Sequence, residues 1–174
     1  MITVLIIIAA IIVLPLIIAL FIPKEYNIER SLVIGKPKHE VFDYIKFIKN
    51  QDEYSKWNMT DPNMKKEFRG TDGTVGFVYG WNGNKQAGEG EQEITGITEG
   101  DRITTEIRFK RPMQNTGHIY MVTEAHSDDS TKVTWGMMGK SPYPMNLMTA
   151  MLKGVLGKDL EISLNNLKRR LENK

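Results

Sequence analysis

Glu91, Glu93, Glu106 and Glu124 are the side chains of this 174-residue chain best placed for acid–base work, because each lies in strand-like sequence that could turn it inward. A carboxyl group buried in that way has its pKa raised by desolvation and can give or take a proton near neutral pH. The competing reading is a solvated outer sheet face, on which Glu89, Glu91, Glu93, Arg102, Glu106 and Arg108 pair across strands. That reading is favoured, since such faces normally carry these charges. His39, His118 and His126 have no metal-ligand spacing, and no H-E-x-x-H is present. Ser141 and Ser163 lack a G-x-S-x-G context. With no cysteine there is no thiolate nucleophile, disulfide or Cys-based zinc site. The glycine clusters 70–76 and 83–90 read as hairpin turns, because neither is followed by the G-K-[ST] of a phosphate loop. No cofactor or metal is expected.

The fuller chemical signal is apolar. Trp57, Phe77, Tyr79, Trp81, Phe109 and Trp135 come from segments expected to converge on one sheet face, and Met137, Met138, Met145, Met148 and Met151 cluster around the start of the last helix. Methionine is flexible and polarizable, so such a wall can adapt to varied apolar ligands. The plainer reading is that these side chains are packing core. As a ligand site, the candidates are Trp57, Phe77, Tyr79, Trp81, Phe109, Trp135, Met137, Met148, Met151 and Leu152.

Positioning these residues requires a particular order of elements. Tyr26–Ile34 alternates as a strand and Gly35 ends it. Pro37 suits the first turn of a helix that carries Val41, Phe42, Ile45 and Ile48 on one side. A second short helix is expected over Asp52–Trp57. Six strands then follow, over 64–69, 75–82, 91–97, 103–109, 118–126 and 132–140, separated by turn sequences such as Asp72-Gly73 and Asn82-Gly83-Asn84. Residues 110–117 read as a longer loop around Pro112. Short connections imply an antiparallel meander. Leu156, Leu160, Leu164, Leu167 and Leu171 recur at helical intervals, Gly154 and Gly157 weaken the first third of that helix, and Lys168, Arg169 and Arg170 close it.

Charge divides the chain in two. Residues 1–22 contain no charged side chain and only Thr3 and Pro15 outside the hydrophobic set, whereas all 23 basic and 21 acidic residues follow. The net charge of +2 argues against a nucleic-acid partner. Ile2–Ile22 would be about 32 Å long as a helix, close to the roughly 30 Å of a hydrocarbon core. A cleaved signal is disfavoured: no basic residue precedes the run and no A-x-A site precedes Pro23. The expectation is a transmembrane anchor over 1–23 and a domain over 24–174. Lys24, Arg30, Lys36 and Lys38 would place that domain on the cytoplasmic side of a single-pass membrane protein.

Lys36-Pro37-x-x-x-Val41-Phe42-Asp43-Tyr44-Ile45 resembles the first helix of the START-like (SRPBCC) superfamily, in its polyketide cyclase/dehydrase-like branch. Trp57, Phe68-Arg69-Gly70 with Gly73-x-x-Gly76, Tyr79-x-Trp81, Gly88-x-Gly90, Thr131-Lys132-Val133-Thr134-Trp135 and Gly157-Lys158-Asp159 with Leu164-x-x-Leu167-Lys168 continue the likeness over about residues 26–172. The resemblance implies an α+β helix-grip fold, a curved antiparallel sheet wrapped around a long C-terminal helix, with an apolar cavity between them. It also implies a small hydrophobic or lipid-like ligand as partner. The leading expectation is therefore a membrane-anchored, non-catalytic ligand-binding domain. The second is a polyketide cyclase or dehydratase using an inward carboxylate. Fold alone does not choose between them.

Overall fold

The computed structural model describes residues 2–173, apart from the side chains of residues 5, 6, 8, 9 and 152. The chain runs α1 (Ile2–Phe21), β1 (Glu25–Ile34), α2 (Lys38–Ile45), α3 (Gln51–Tyr54), β2 (Lys65–Arg69), β3 (Val78–Asn82), β4 (Glu89–Thr98), β5 (Arg102–Arg111), β6 (Asn115–Ser127), β7 (Ser130–Lys140) and α4 (Asn146–Glu172). The strands form one antiparallel sheet in the order β1-β7-β6-β5-β4-β3-β2. Six are successive neighbours, as short turns require. The first strand closes the far edge by pairing with the last, Ile28 opposite Met137 and Leu32 opposite Val133.

Register fixes what each face carries, because successive side chains in a strand alternate. One row across the inner face reads Tyr79, Gln92, Ile107, Gly117, Gly139 and Tyr26. The next reads Ile94, Thr105, Ile119, Met137 and Ile28. Over this face lies α4, with Leu160, Leu164, Leu167 and Leu171 buried against Ile34, Val41, Phe42 and Ile45. Polar contacts set its position: Arg30 Nε bonds Glu161 at 2.6 Å, and the Lys56 amide bonds Ser163 Oγ at 2.9 Å. The helix runs unbroken through Gly154 and Gly157. A Cβ at Gly157 would meet the Arg30 guanidinium, the movable end of a long side chain, which would have to shift. A second small cluster of Ile48, Phe77, Tyr79 and Ile94 fills the opposite end of the sheet. The loop expected over 110–117 shrinks to residues 112–114, because β5 and β6 extend through exposed polar residues that carry no alternation signal.

The N-terminal segment departs from expectation. Its last turn belongs to the domain's own packing: Ala19 is 1% exposed, and Asn146 Nδ2 donates to the Ala19 carbonyl at 2.6 Å and the Ile22 carbonyl at 2.8 Å. Residues 2–18 then remain, about 25 Å of helix against a core of roughly 30 Å. Among the described residues, no helix is long and apolar enough to cross a membrane. This overturns the expected single-pass transmembrane anchor over 1–23 and the localisation built on it.

Candidate ligand cavity

A cavity of about 370 Å³ lies between the inner sheet face, α3 with the turn that follows it, and the first turns of α4. That is within the range of small-molecule sites. Its wall is largely aromatic and aliphatic because inner positions of β3, β5 and β7 alternate with outward polar ones. Trp81 and Phe109 meet edge to face with ring centroids 5.8 Å apart, and Trp135 meets Trp57 at 6.1 Å and Tyr54 at 5.7 Å in the same manner. Such pairs hold the rings in fixed orientations.

Of the ten candidate residues, Trp57, Tyr79, Trp81, Phe109, Trp135, Met137 and Met148 line this cavity. Phe77 does not: it lies just before β3 and stacks on Phe68 at 6.3 Å in the second cluster. Met151 is also off the wall, 74% exposed on the outward side of α4. Leu152 lies outside the residues whose side chains are described.

The glutamates take the outer face. Gln92 and Ile94 point inward on β4, so Glu91 and Glu93, which alternate with them, point out, and Glu106 of β5 joins them. Arg108 binds all three, reaching Glu93 and Glu106 at 2.6 Å and Glu91 at 2.9 Å. Glu124 is exposed and pairs with Lys132 at 3.1 Å, and His118 is exposed. None of these five side chains reaches the cavity, so the inward carboxylate expected for a cyclase is absent from the positions named for it.

What sequence reasoning missed is the cavity's polar component. Gln51 and Ser55 stand four residues apart on one side of α3 and its continuation, both more than nine-tenths buried, and both line the cavity. Gln92 lies across from them on β4, its Nε2 donating to Thr105 Oγ1 at 2.9 Å. The alternation Glu91-Gln92-Glu93-Ile94 already puts Gln92 on the face of Ile94, so that signal was readable. Gln51 and Ser55 sit in a short polar stretch with no periodicity to orient them.

The titratable groups on the wall are few. The Tyr79 hydroxyl donates to Asp52 Oδ1 at 2.6 Å, and burial together with that carboxylate pushes the phenol well above its usual range. Burial also raises Tyr26. Both phenols therefore stay protonated at neutral pH. Arg111 stands at the mouth and is committed to Glu89 at 3.0 Å and Asn82 Oδ1 at 2.6 Å. Among the described residues no group of His, Cys, Asp and Glu could hold a metal ion. Chemically, the site can enclose an apolar body and offer it a few neutral hydrogen-bonding groups.

No protein-family model matches the chain. No curated protein matches it either. Solved structures do. A protein from Nitrosospira multiformis superposes with a TM-score of 0.62 at 17% identity, over 82% of this chain and 94% of that one. Truncated norcoclaurine synthase from Thalictrum flavum gives 0.65 at 9% identity, over 84% and 93%. DynU16, from the dynemicin biosynthetic locus, gives 0.59 at 12% identity, over 84% of this chain and 47% of that one. At these identities the likeness shows the fold alone: a seven-stranded antiparallel sheet closed on a long C-terminal helix, the helix-grip arrangement.

Proposed function

We propose that residues 24–174 form a ligand-binding domain that encloses a small hydrophobic or lipid-like molecule between the sheet and α4, without carrying out chemistry on it. The observation that carries this reading is the cavity wall. A space of about 370 Å³ bounded by Trp57, Trp81, Phe109, Trp135 and Met137 leaves a large apolar surface that a ligand would remove from water. Burial of apolar area contributes roughly 25 cal/mol per Å². The side chains on the wall are neutral apart from Arg111, whose charge is already met by Glu89. Met145 and Met148 near the start of α4 supply adaptable surface.

The cyclase or dehydratase reading needs an acid or base beside the ligand. Glu91, Glu93, Glu106 and Glu124 are engaged on the other side of the sheet, and the raised pKa of the two phenols on the wall makes them weak acids and denies a phenolate base near neutral pH. Resemblance to the polyketide cyclase-like branch therefore supports the pocket more than the reaction.

Ligand binding to the native state alone raises thermal stability. The full chain, delipidated and then heated with a panel of fatty alcohols, sterols, isoprenoids and aromatic polyketides, is expected to unfold several degrees higher with at least one class. No shift across the panel, together with no small molecule retained in native mass spectrometry of the purified chain, would overturn the reading.

A further inference from the structure

The polar groups on the cavity wall fall into two sets. In the first, the protein satisfies its own groups: Tyr79 and Asn58 both donate to Asp52, the Trp81 indole donates to the Ala87 carbonyl at 3.1 Å, and the Thr60 hydroxyl donates to the Lys56 carbonyl at 2.9 Å. In the second, groups are left over. The Gln51 amide and the Ser55 hydroxyl make no side-chain hydrogen bond among the described residues and open on the cavity, though Gln51 is only 5% exposed and Ser55 1%. The Trp135 indole N–H also lacks an acceptor among the described residues, but it is sealed within the wall, out of reach from the cavity. Gln92 spends its NH₂ on Thr105, which leaves its carbonyl as an acceptor.

These leftovers share one region. Tyr79 is the registered neighbour of Gln92, and its hydroxyl reaches Asp52, the residue after Gln51. Trp135 packs on Tyr54, the residue before Ser55. So α3 brings Gln51 and Ser55 down beside the Gln92–Thr105 pair and Trp135, at one pole of an otherwise apolar space. A buried polar group left unpaired is costly, and native structures normally pair more than nine in ten of them. Several unpaired groups lining one cavity point to a ligand that completes them.

We infer that the cavity selects an uncharged amphipath, an apolar body carrying a hydroxyl or carbonyl oxygen that seats against Gln51, Ser55 and Gln92, and that it discriminates against the carboxylate of the same body. The groups at the pole donate and accept but carry no charge, so a neutral oxygen satisfies them while an anion would be buried without a counter-ion. Arg111 does not rescue the anion at the mouth, because its guanidinium already holds the Glu89 carboxylate. This inference rests on the reading of the cavity as a ligand site and adds the chemistry of the ligand.

The test uses the full chain with an apolar fluorescent dye bound in the cavity, displaced by n-decanol, methyl octyl ketone, n-decane or decanoate at about pH 8, where the acid is ionised. Decanol and the ketone are expected to displace it at least about tenfold more tightly than decanoate, the factor that one unpaired buried group commands. In Gln51→Leu, and separately in Ser55→Ala, the ratio of decanol to decane affinity is expected to fall about three- to tenfold. Decanoate binding as tightly as decanol, or ratios unchanged in both variants, would overturn the inference while leaving the cavity's role intact. If the dye and all four compounds fail to bind, both fall together. The decanol–decanoate comparison needs only the unaltered protein, so it stands even if a variant does not fold.

Discussion

Arg108 shows how one residue can decide which face of a sheet is wet. Glu93 and Glu106 are directly opposed across β4 and β5, an arrangement that repels unless a cation intervenes. Arg108 supplies it, and Glu93 first and Glu106 next raise the guanidinium's pKa further. Glu91 is held below the usual carboxylate range, chiefly by its bond to Arg69 at 2.7 Å and secondarily by Arg108, against an upward push from burial. A carboxyl whose folded pKa is depressed contributes stability above its unfolded pKa and loses it as pH falls through the folded value. Arg108→Ala is therefore expected to cost about 1–2 kcal/mol at neutral pH. The cost should shrink progressively below about pH 4.3, the unfolded carboxylate value, and vanish below the lower folded pKa of Glu91. Denaturant melts of both proteins across pH check this, and a cost that grows on acidification would refute it. At this scale the sequence was informative about the outer face, because charges in alternation have one obvious reading. It was silent on Gln51 and Ser55, whose orientation depends on where α3 packs.

At the scale of elements, pairs of glycine and aromatic residues across β6 and β7 govern how the sheet is built. Gly136 faces outward opposite Tyr120, and a Cβ at Gly136 would overlap the Tyr120 ring. The ring lies over the glycine so that its hydroxyl can donate to Glu29 at 2.5 Å, tying β6 to β1 across β7. Burial and Glu29 push the Tyr120 phenol up. Gly136→Ala is expected to drive the ring off and destabilise the fold by about 2 kcal/mol. Adding Tyr120→Ala should recover most of that cost, a coupling that a double-mutant cycle in thermal or chemical unfolding measures directly. Full additivity would show that the glycine matters for some other reason. The long elements were legible: leucine spacing located α4, and β1 and β7 fell within a residue or two of expectation. Less legible were the ends of β5 and β6, which extend through exposed residues, and the first helix. Its uniform apolarity says nothing about Asn146, more than a hundred residues away, which takes hold of its last turn.

For the whole molecule, a sheet of seven strands and one long helix leave a space that neither element fills. Gly117 and Gly139 place no side chain in the middle of the inner face, and Tyr26 leans across Gly139. At the other end, Gly90 leaves room for the Trp81 ring, which a Cβ there would approach within 2.6 Å. The sequence announced the fold through the order of its elements, and the aromatic alternation of β3, β5 and β7 announced most of the wall. It could not separate wall from ordinary core, because Phe77 and Tyr79 belong to one buried cluster yet only Tyr79 reaches the cavity. Whether a ligand enters this space can be read directly, because the chain's three tryptophans, Trp57, Trp81 and Trp135, all line it. Titration with an apolar naphthylamine dye, read as quenching of tryptophan emission, therefore reports occupancy at the site itself. Ile119→Trp, which fills the cavity from the centre of the inner face, is the matched control. Saturable quenching is expected in the unaltered chain, and its loss in a folded Ile119→Trp variant; quenching that never saturates, or that is unchanged when the cavity is filled, would refute ligand binding in this space.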